Sequence, residues 1–288
     1  MFENIEKFEN ENLANHTTLH INARARWFLL PKNEEEIEQI YYECRLCGIE
    51  YFVLGGGSNV LVCDDGFEGA IVSMKNFSQI ELLGENKILV GAGVNLFALN
   101  HFCLNRGFTG LEWSYGIPAS VGGAVKMNAG AYGGEFCNFV KEIVVFDGVS
   151  RRTRKKLSYS YRKGCLKKNE VLMSAVLELE EGSKEQILSS MLSVLKKRKE
   201  SQPYGEFSLG SVFKRGKDFF PAKIIEEIGY KGRMCGNMEI SKKHSGFIVN
   251  KGGGKAKEFL SLVCDVEKIA RERGYIFERE FVPLGFEE

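Results

Sequence analysis

Apolar positions recur with two periods along this chain of 288 residues. In Glu34–Cys47, the residues Ile37, Ile40, Tyr41, Cys44 and Cys47 fall three or four apart, the spacing of one helix face. The acidic start at Glu34, Glu35 and Glu36 suits the positive end of a helix dipole, and both thiols are expected to face the core. The same period predicts helices over residues 95–106, 184–200, 222–228 and 255–273. Asn95 is a capping residue for the second helix and Gly107 its stop. Ile187, Leu188, Met191 and Leu195 are the inward set of 184–200. Phe259, Leu260, Val263, Val266, Ile269 and Ala270 form that of 255–273. Short apolar runs predict strands at 51–54, 60–62, 70–72, 80–83, 87–90, 142–146, 171–180, 247–249 and 275–282. Residues 17–30 read as extended chain closed by Pro31, and 1–16 as a short helix and loop with Phe2, Ile5 and Phe8 on one side. No internal repeat is visible. Pro203 marks the best domain boundary.

Composition narrows the class. Hydrophobic content of 44% and charged content of 27% describe an ordinary soluble globular protein. A net charge of +1 provides no global field for nucleic acid or an anionic membrane. No apolar run approaches the ~20 residues that span a bilayer. The acidic, amphipathic N-terminus is wrong for a signal peptide, so cytoplasmic residence is expected. The run Arg151-Arg-Thr-Arg-Lys-Lys156 lacks an interleaved aromatic platform and reads as an exposed hairpin, not a nucleic-acid patch. Eight cysteines in a chain this long do not form a disulfide framework. Cys44-Arg-Leu-Cys47 has no second ligand pair, so no metal site is expected.

Glycine is the outlier, at 32 residues of 288 against a usual ~7%. Six of the nineteen residues from Gly116 to Gly134 are glycine, and much of the rest is small. That run is too poor in large side chains to build a core and too uncharged for a solvated linker. A second run, Gly55-Gly56-Gly57-Ser58-Asn59, follows the apolar segment 51–54. It lacks the G-x-G-x-x-G spacing, and Val60-Leu61-Val62 after it is strand-like, so the usual dinucleotide fingerprint is not met. A phosphate-binding nest and a simple turn both remain open for it read alone. Two separated backbone cradles together suggest one flat, phosphate-bearing ligand, a dinucleotide of the flavin kind.

Three segments combine into a resemblance. Gly55 through Val62 with Asp64, Gly66 and Phe67, the stretch Gly110 to Pro118 continuing through Met127 to Glu135, and the C-terminal set Gly210-Ser211-Val-Phe-Lys214, Ser241-Lys-Lys-His244 and Phe247-Ile-Val-Asn250 are similar to the UDP-N-acetylenolpyruvoylglucosamine reductase family, in the family's order and over nearly the whole chain. Only 48 residues separate Arg162 from Ser211, so the chain resembles the family's shorter form, without its extra tyrosine-bearing loop.

The resemblance implies an α+β fold. It would have an FAD-binding portion of two α/β subdomains (1–75 and 76–200) on a PCMH-type flavoenzyme scaffold, and a C-terminal α+β substrate domain (201–288). It implies non-covalent FAD, NADPH as reductant, a small nucleotide-sugar substrate and no obligatory protein partner. The flavin residues implied are Gly55, Gly56, Gly57, Ser58 and Asn59 with Gly116, Ile117, Pro118, Ala119, Ser120, Gly122, Gly123, Ala124 and Asn128. The catalytic set implied is Arg162, Ser211 and Glu280, and Lys214, Arg215 and Glu239 lie where the UDP part would sit.

The chemistry asks for these residue types. The implied substrate is an enol ether bearing a carboxylate, to which hydride adds at the vinyl carbon. A guanidinium clamps a carboxylate through two parallel N–H···O bonds, which lysine cannot do. Ser211 matches the residue that protonates the other carbon, a task a hydroxyl performs only through placement and neighbouring charge. Otherwise Ser208 and Ser211 simply bond local backbone. Glu280 matches the third catalytic residue, and Glu278, on the same face of an extended segment, is its alternative. Departures from the family pattern occur at Gly164, where serine is usual, and at Asn22, Ala23, Arg215, Gly216, Glu239 and Arg279. Two other readings stay open. One is an oxidase on the same scaffold, with flavin tethered through His101 or Cys103; the other is a non-catalytic flavin or UDP-sugar binder.

Overall fold

The computed structural model describes residues 1–287, and the chain divides into two compact units, each assembled from three stretches. The first unit comprises Met1–Glu9, Trp27–Gly56 and Gly69–Lys197. Its centre is a five-stranded antiparallel sheet in the order Arg151–Arg154, Val140–Phe146, Val171–Glu178, Lys87–Gly91 and Ile80–Leu82. Val171–Glu178 is buried along nearly its whole length because it is covered on both faces. The basic run predicted to be a hairpin is one: Arg151–Arg154 is an exposed edge strand, with Arg154 opposite Ile143 and Arg151 opposite Phe146. Tyr51–Leu54 pairs in parallel with Phe67–Ser73, Tyr51 opposite Ala70 and Leu54 opposite Ser73.

Helices Glu34–Cys47 and Leu96–Arg106 have the bounds their sequence signals give. The side chain of Asn33 accepts from Glu36 N–H at 2.9 Å and that of Asn95 from Ala98 N–H at 2.7 Å. Gly48 and Gly107 close these helices in the left-handed conformation. One face of the first helix buries Ile37, Ile40, Tyr41 and Cys44, each isoleucine contributing roughly 1.5–3 kcal/mol. Cys47, expected inward, is exposed, since it belongs to the last half-turn where the helix leaves the core. On helix Lys184–Ser201, Ile187 and Met191 are buried but Leu188 is exposed, so the inward stripe is narrower than its periodicity implies.

The second unit comprises Asn10–Arg26, Gly57–Glu68 and Arg198–Glu288. Its sheet has the order Phe207–Ser211, Phe247–Asn250, Met238–Ile240, Met234–Cys235. Helix Ala256–Glu272 buries Phe259, Leu262, Val263, Val266 and Ala270. Asp64 caps this helix, accepting from the N–H groups of Ala256 at 2.7 Å and Lys257 at 3.0 Å. Near the C-terminus Val282–Leu284 pairs in parallel with Val60–Val62.

Two expected elements differ. The first sixteen residues form strand Lys7–Asn12 and a single tight turn of helix at Leu13–His16, not a helix and loop. Phe2, Asn4 and Asn10 take positive φ, which interrupts any helix, and asparagine tolerates that conformation well. The strand expected over 275–282 is irregular chain with one bridge, Phe213 opposite Arg279. Its backbone partners are scattered over Ala270, Val212, Lys214 and Asn59, regular pairing begins only at Val282, and Ile276 is 80% exposed.

Candidate active site

Gly55 and Gly56 meet the second glycine run inside the first unit. A Cβ on Gly55 would lie 2.5 Å from the Ser120 hydroxyl oxygen, and one on Gly56 would lie 2.9 Å from the Pro118 carbonyl oxygen. At Gly56 backbone therefore packs on backbone and leaves no room for a side chain, while at Gly55 a side chain would have to displace the Ser120 hydroxyl. The second run is fastened from behind by Leu96 N–H to the Ala119 carbonyl (2.9 Å), Val121 N–H to Val94 (2.8 Å) and Gly122 N–H to Ala92 (2.8 Å). Ser120 starts the short helix Val121–Met127, its hydroxyl accepting from Gly123 N–H at 3.2 Å. The result is a rigid shelf of main chain, bare of large side chains, and it fits a flat dinucleotide such as FAD.

Gly57, Ser58 and Asn59 fall in the second unit. Thr18 N–H donates to the Gly57 carbonyl at 3.1 Å. The Asn59 amide donates to the Glu280 carbonyl at 3.0 Å, and Val282 N–H donates to the Asn59 carbonyl at 2.8 Å. Asn59, expected at the flavin, thus also fixes the chain that bears Glu280. No local sequence signal reveals that bond.

Arg162 sits in a two-residue turn of the first unit, between Ser160 and Lys163, which exchange both backbone hydrogen bonds at 2.8 and 3.0 Å. Its φ is +55°, an uncommon conformation for a non-glycine residue. The guanidinium donates to the Gly130 carbonyl at 3.0 Å and lies 4.9 Å from the centre of the Tyr161 ring. Gly164 N–H donates to the Lys126 carbonyl at 3.1 Å. A Cβ on Gly164 would reach 1.6 Å from the Val125 carbonyl oxygen, so the serine usual in the family cannot occupy this backbone.

Ser211 ends the edge strand Phe207–Ser211 of the second unit. The pairing slips between Ser208, opposite Val249, and Ser211, opposite Phe247, with Gly210 at φ +84°. Such a bulge re-aims the following side chain. The Ser211 hydroxyl makes no hydrogen bond among the described residues, so it is not spent on local backbone. Glu280 N–H donates to the Val212 carbonyl at 2.9 Å and Lys214 N–H to the Glu278 carbonyl at 2.8 Å. These bonds hold residues 278–280 beside Ser211. Glu278 is exposed and its carboxylate pairs with the Lys214 ammonium, whereas Glu280 is half-buried.

The remaining candidates are also located. Arg215 is exposed, its guanidinium 5.9 Å from the centre of the Phe220 ring. Glu239 is 7% exposed in Met238–Ile240, opposite Val249, and its side chain makes no hydrogen bond among the described residues. Through the register, Glu239, Val249, Phe247 and Ser211 share one face of the sheet. Cys103 is buried, and burial pushes its thiol up to about 12, which keeps it protonated and unreactive. His101 contacts the Tyr115 hydroxyl at 3.2 Å. No group of three or more His, Cys, Asp or Glu side chains is arranged to hold a metal among the described residues. Among the described residues no helix is long and apolar enough to cross a membrane.

Residues 25–150 match the family model described as an FAD binding domain, and residues 202–282 match that for the UDP-N-acetylenolpyruvoylglucosamine reductase C-terminal domain. The UDP-N-acetylenolpyruvoylglucosamine reductase of Clostridium novyi is 38% identical over 276 residues, covering 93% of this chain and 90% of that one. The chain belongs to the UDP-N-acetylenolpyruvoylglucosamine reductase family. A second reductase of that name, from Bacillus thuringiensis subsp. konkukian, is 36% identical over 96% of this chain and 92% of its own length. The crystal structure of the Thermus caldophilus reductase superposes with a TM-score of 0.84 at 33% identity, covering 97% of this chain and 98% of that one. The mixed α and β architecture expected from the sequence is therefore that of the reductase family.

Proposed function

We propose that this chain uses NADPH, through FAD, to reduce the enolpyruvyl group of UDP-N-acetylglucosamine enolpyruvate to the lactyl ether of UDP-N-acetylmuramate, a step in peptidoglycan precursor synthesis. Membership of the family makes it an FAD-dependent oxidoreductase. The observation that carries the reading is the close approach of Gly55 and Gly56 to Pro118–Ser120, which makes a shelf of small residues suited to a flat cofactor. Gly55, Gly56 and residues 116–124 would hold FAD without a covalent bond, with Gly57, Ser58 and Asn59 contributing. The reading assigns the reaction to the cytoplasm, where NADPH is available.

Bound and reduced, FAD supplies hydride to the vinyl carbon of the substrate. The chain's own residues do the rest. Arg162 forks onto the substrate carboxylate, where negative charge grows as hydride arrives; a preorganised donor of that kind is worth about 3–4 kcal/mol. Ser211 donates its hydroxyl proton to the carbon that bears the carboxylate, a transfer that depends on its placement against that carbon and on neighbouring positive charge. Glu280 completes the set, its carboxylate orienting the reacting group and serving the relay that returns a proton to Ser211. Lys214 and Arg215 supply positive charge for the diphosphate, and Glu239 offers a buried acceptor to uridine or ribose.

The test is product identity. Protein supplied with FAD, NADPH and the enolpyruvyl substrate should yield a product heavier by two hydrogens, with one NADPH consumed per product. NADPH oxidation that needs oxygen and leaves the nucleotide sugar unchanged would overturn the reading.

A further inference from the structure

Asn128 is fully buried at the end of helix Val121–Met127, at φ +44°. Its side chain is wholly engaged. The amide N–H donates to Glu135 Oε2 at 2.8 Å and to the Ser160 carbonyl at 3.0 Å, and the amide oxygen accepts from Cys137 N–H at 3.0 Å. Ser160 is one end of the two-residue turn that carries Arg162. Gly130, whose carbonyl receives the Arg162 guanidinium, lies two residues beyond Asn128.

We propose that Asn128 is a positioning residue for Arg162. Its buried amide ties the loop 130–137 and the turn 160–163 to one point, so the carbonyl that holds the guanidinium and the backbone that bears it move together. The geometry supports this in three ways. The turn is strained at Arg162, so an outside hold is needed to keep it. The Ser160 end is gripped by Asn128 and the Gly164 end by the Lys126 carbonyl, two anchors on the same short helix terminus. The resemblance implied Asn128 among the flavin residues, but it is fully buried with no exposed atom to offer a ligand, so its contribution reaches the substrate only through what it holds. A shift of about 1 Å in such a support can cost on the order of 10²-fold in rate.

This rests on the role proposed for Arg162. The experiment compares Asn128→Asp, which keeps the shape and the acceptor oxygen but loses the donor, Asn128→Gly, which tolerates the left-handed backbone, Arg162→Ala, and the double variant Asn128→Gly with Arg162→Ala. Each FAD-loaded protein is reduced by NADPH anaerobically, then mixed with the enolpyruvyl substrate; FAD affinity and thermal midpoint are measured alongside. Both Asn128 variants should slow the substrate step about tenfold or more, with flavin reduction by NADPH and FAD affinity within about twofold of the parent. The double variant should be no more than about twofold slower than Arg162→Ala alone, because a support has nothing left to hold. Losses that multiply in the double variant, or FAD affinity falling as much as the substrate step, would overturn the positioning role while leaving the proposed function intact. Unchanged substrate reduction in Arg162→Ala would remove the role proposed for Arg162 and this inference with it.

Discussion

Glu280 donates its backbone N–H to the Val212 carbonyl at 2.9 Å, which pins the segment carrying this carboxylate to the residue after Ser211. Glu278, two positions earlier, is exposed and paired with Lys214. Glu280→Gln is therefore expected to slow the substrate step by about 10²-fold or more. Glu278→Gln should change it by less than about threefold and stability by roughly 0–1 kcal/mol, as for other exposed pairs. Stopped-flow flavin reoxidation by substrate separates them, and the reverse ranking would transfer the role to Glu278.

Ser211→Ala removes the proposed proton donor and leaves the glycine shelf proposed for FAD untouched. Flavin reduction by NADPH should proceed at the parent rate, while product formation falls by about 10²–10⁴-fold. A parent-like product rate would mean that another group delivers the proton.

Arg162→Lys keeps the charge and loses the fork. The expected loss is about 3 kcal/mol of transition-state stabilisation, near 10²-fold in turnover, with NADPH oxidation by the free enzyme unaffected. Equal kinetics for lysine and arginine would show that charge alone suffices.

Gly56→Ala drives a methyl group toward the Pro118 carbonyl oxygen, 2.9 Å from the added carbon. The neighbour is backbone and cannot swing aside, so a cost of about 1–3 kcal/mol and a matching drop in FAD affinity are expected. Thermal unfolding with and without FAD, followed by flavin fluorescence titration, measures both. A variant that binds FAD normally would contradict the shelf.

His244 gives the fold a pH dependence. Burial lowers its pKa from the ordinary value near 6.5, and its Nδ1 accepts from Gly246 N–H at 3.1 Å, which requires the neutral ring. The unfolded chain then binds more protons than the folded one, so stability is full above about 6.5 and falls as pH drops below it. The thermal midpoint should decline between roughly pH 7.5 and pH 5.5, above the range where carboxylates titrate. His244→Gln should shrink that decline, and an unchanged pH profile would contradict the assignment to His244.

Much of this was legible because local signals sufficed. Periodicity and the acidic start bounded Glu34–Cys47, and Asn95 and Gly107, acting within one turn of the helix, bounded Leu96–Arg106. The glycine runs announced close backbone approach, and Gly55 and Gly56 do approach Pro118 and Ser120. Contacts between distant positions left no such mark. Asp64 caps a helix 192 residues later, and Asn59 bonds a carbonyl 221 residues away. Side-chain burial also escaped periodicity at Cys47 and Leu188, where spacing fits the inward stripe but the side chains are exposed. Around Asn128 the sequence marks a glycine-rich run near a ligand; that its amide is consumed by Ser160, Glu135 and Cys137 needed the fold.

The central claim is that electrons pass from NADPH through FAD to an enolpyruvyl ether. Under strict exclusion of oxygen, the FAD-loaded protein is bleached with one equivalent of NADPH, and UDP-N-acetylglucosamine enolpyruvate is then added. Return of the oxidised-flavin absorbance without oxygen is the predicted result. Flavin that stays bleached until air is admitted would contradict the account.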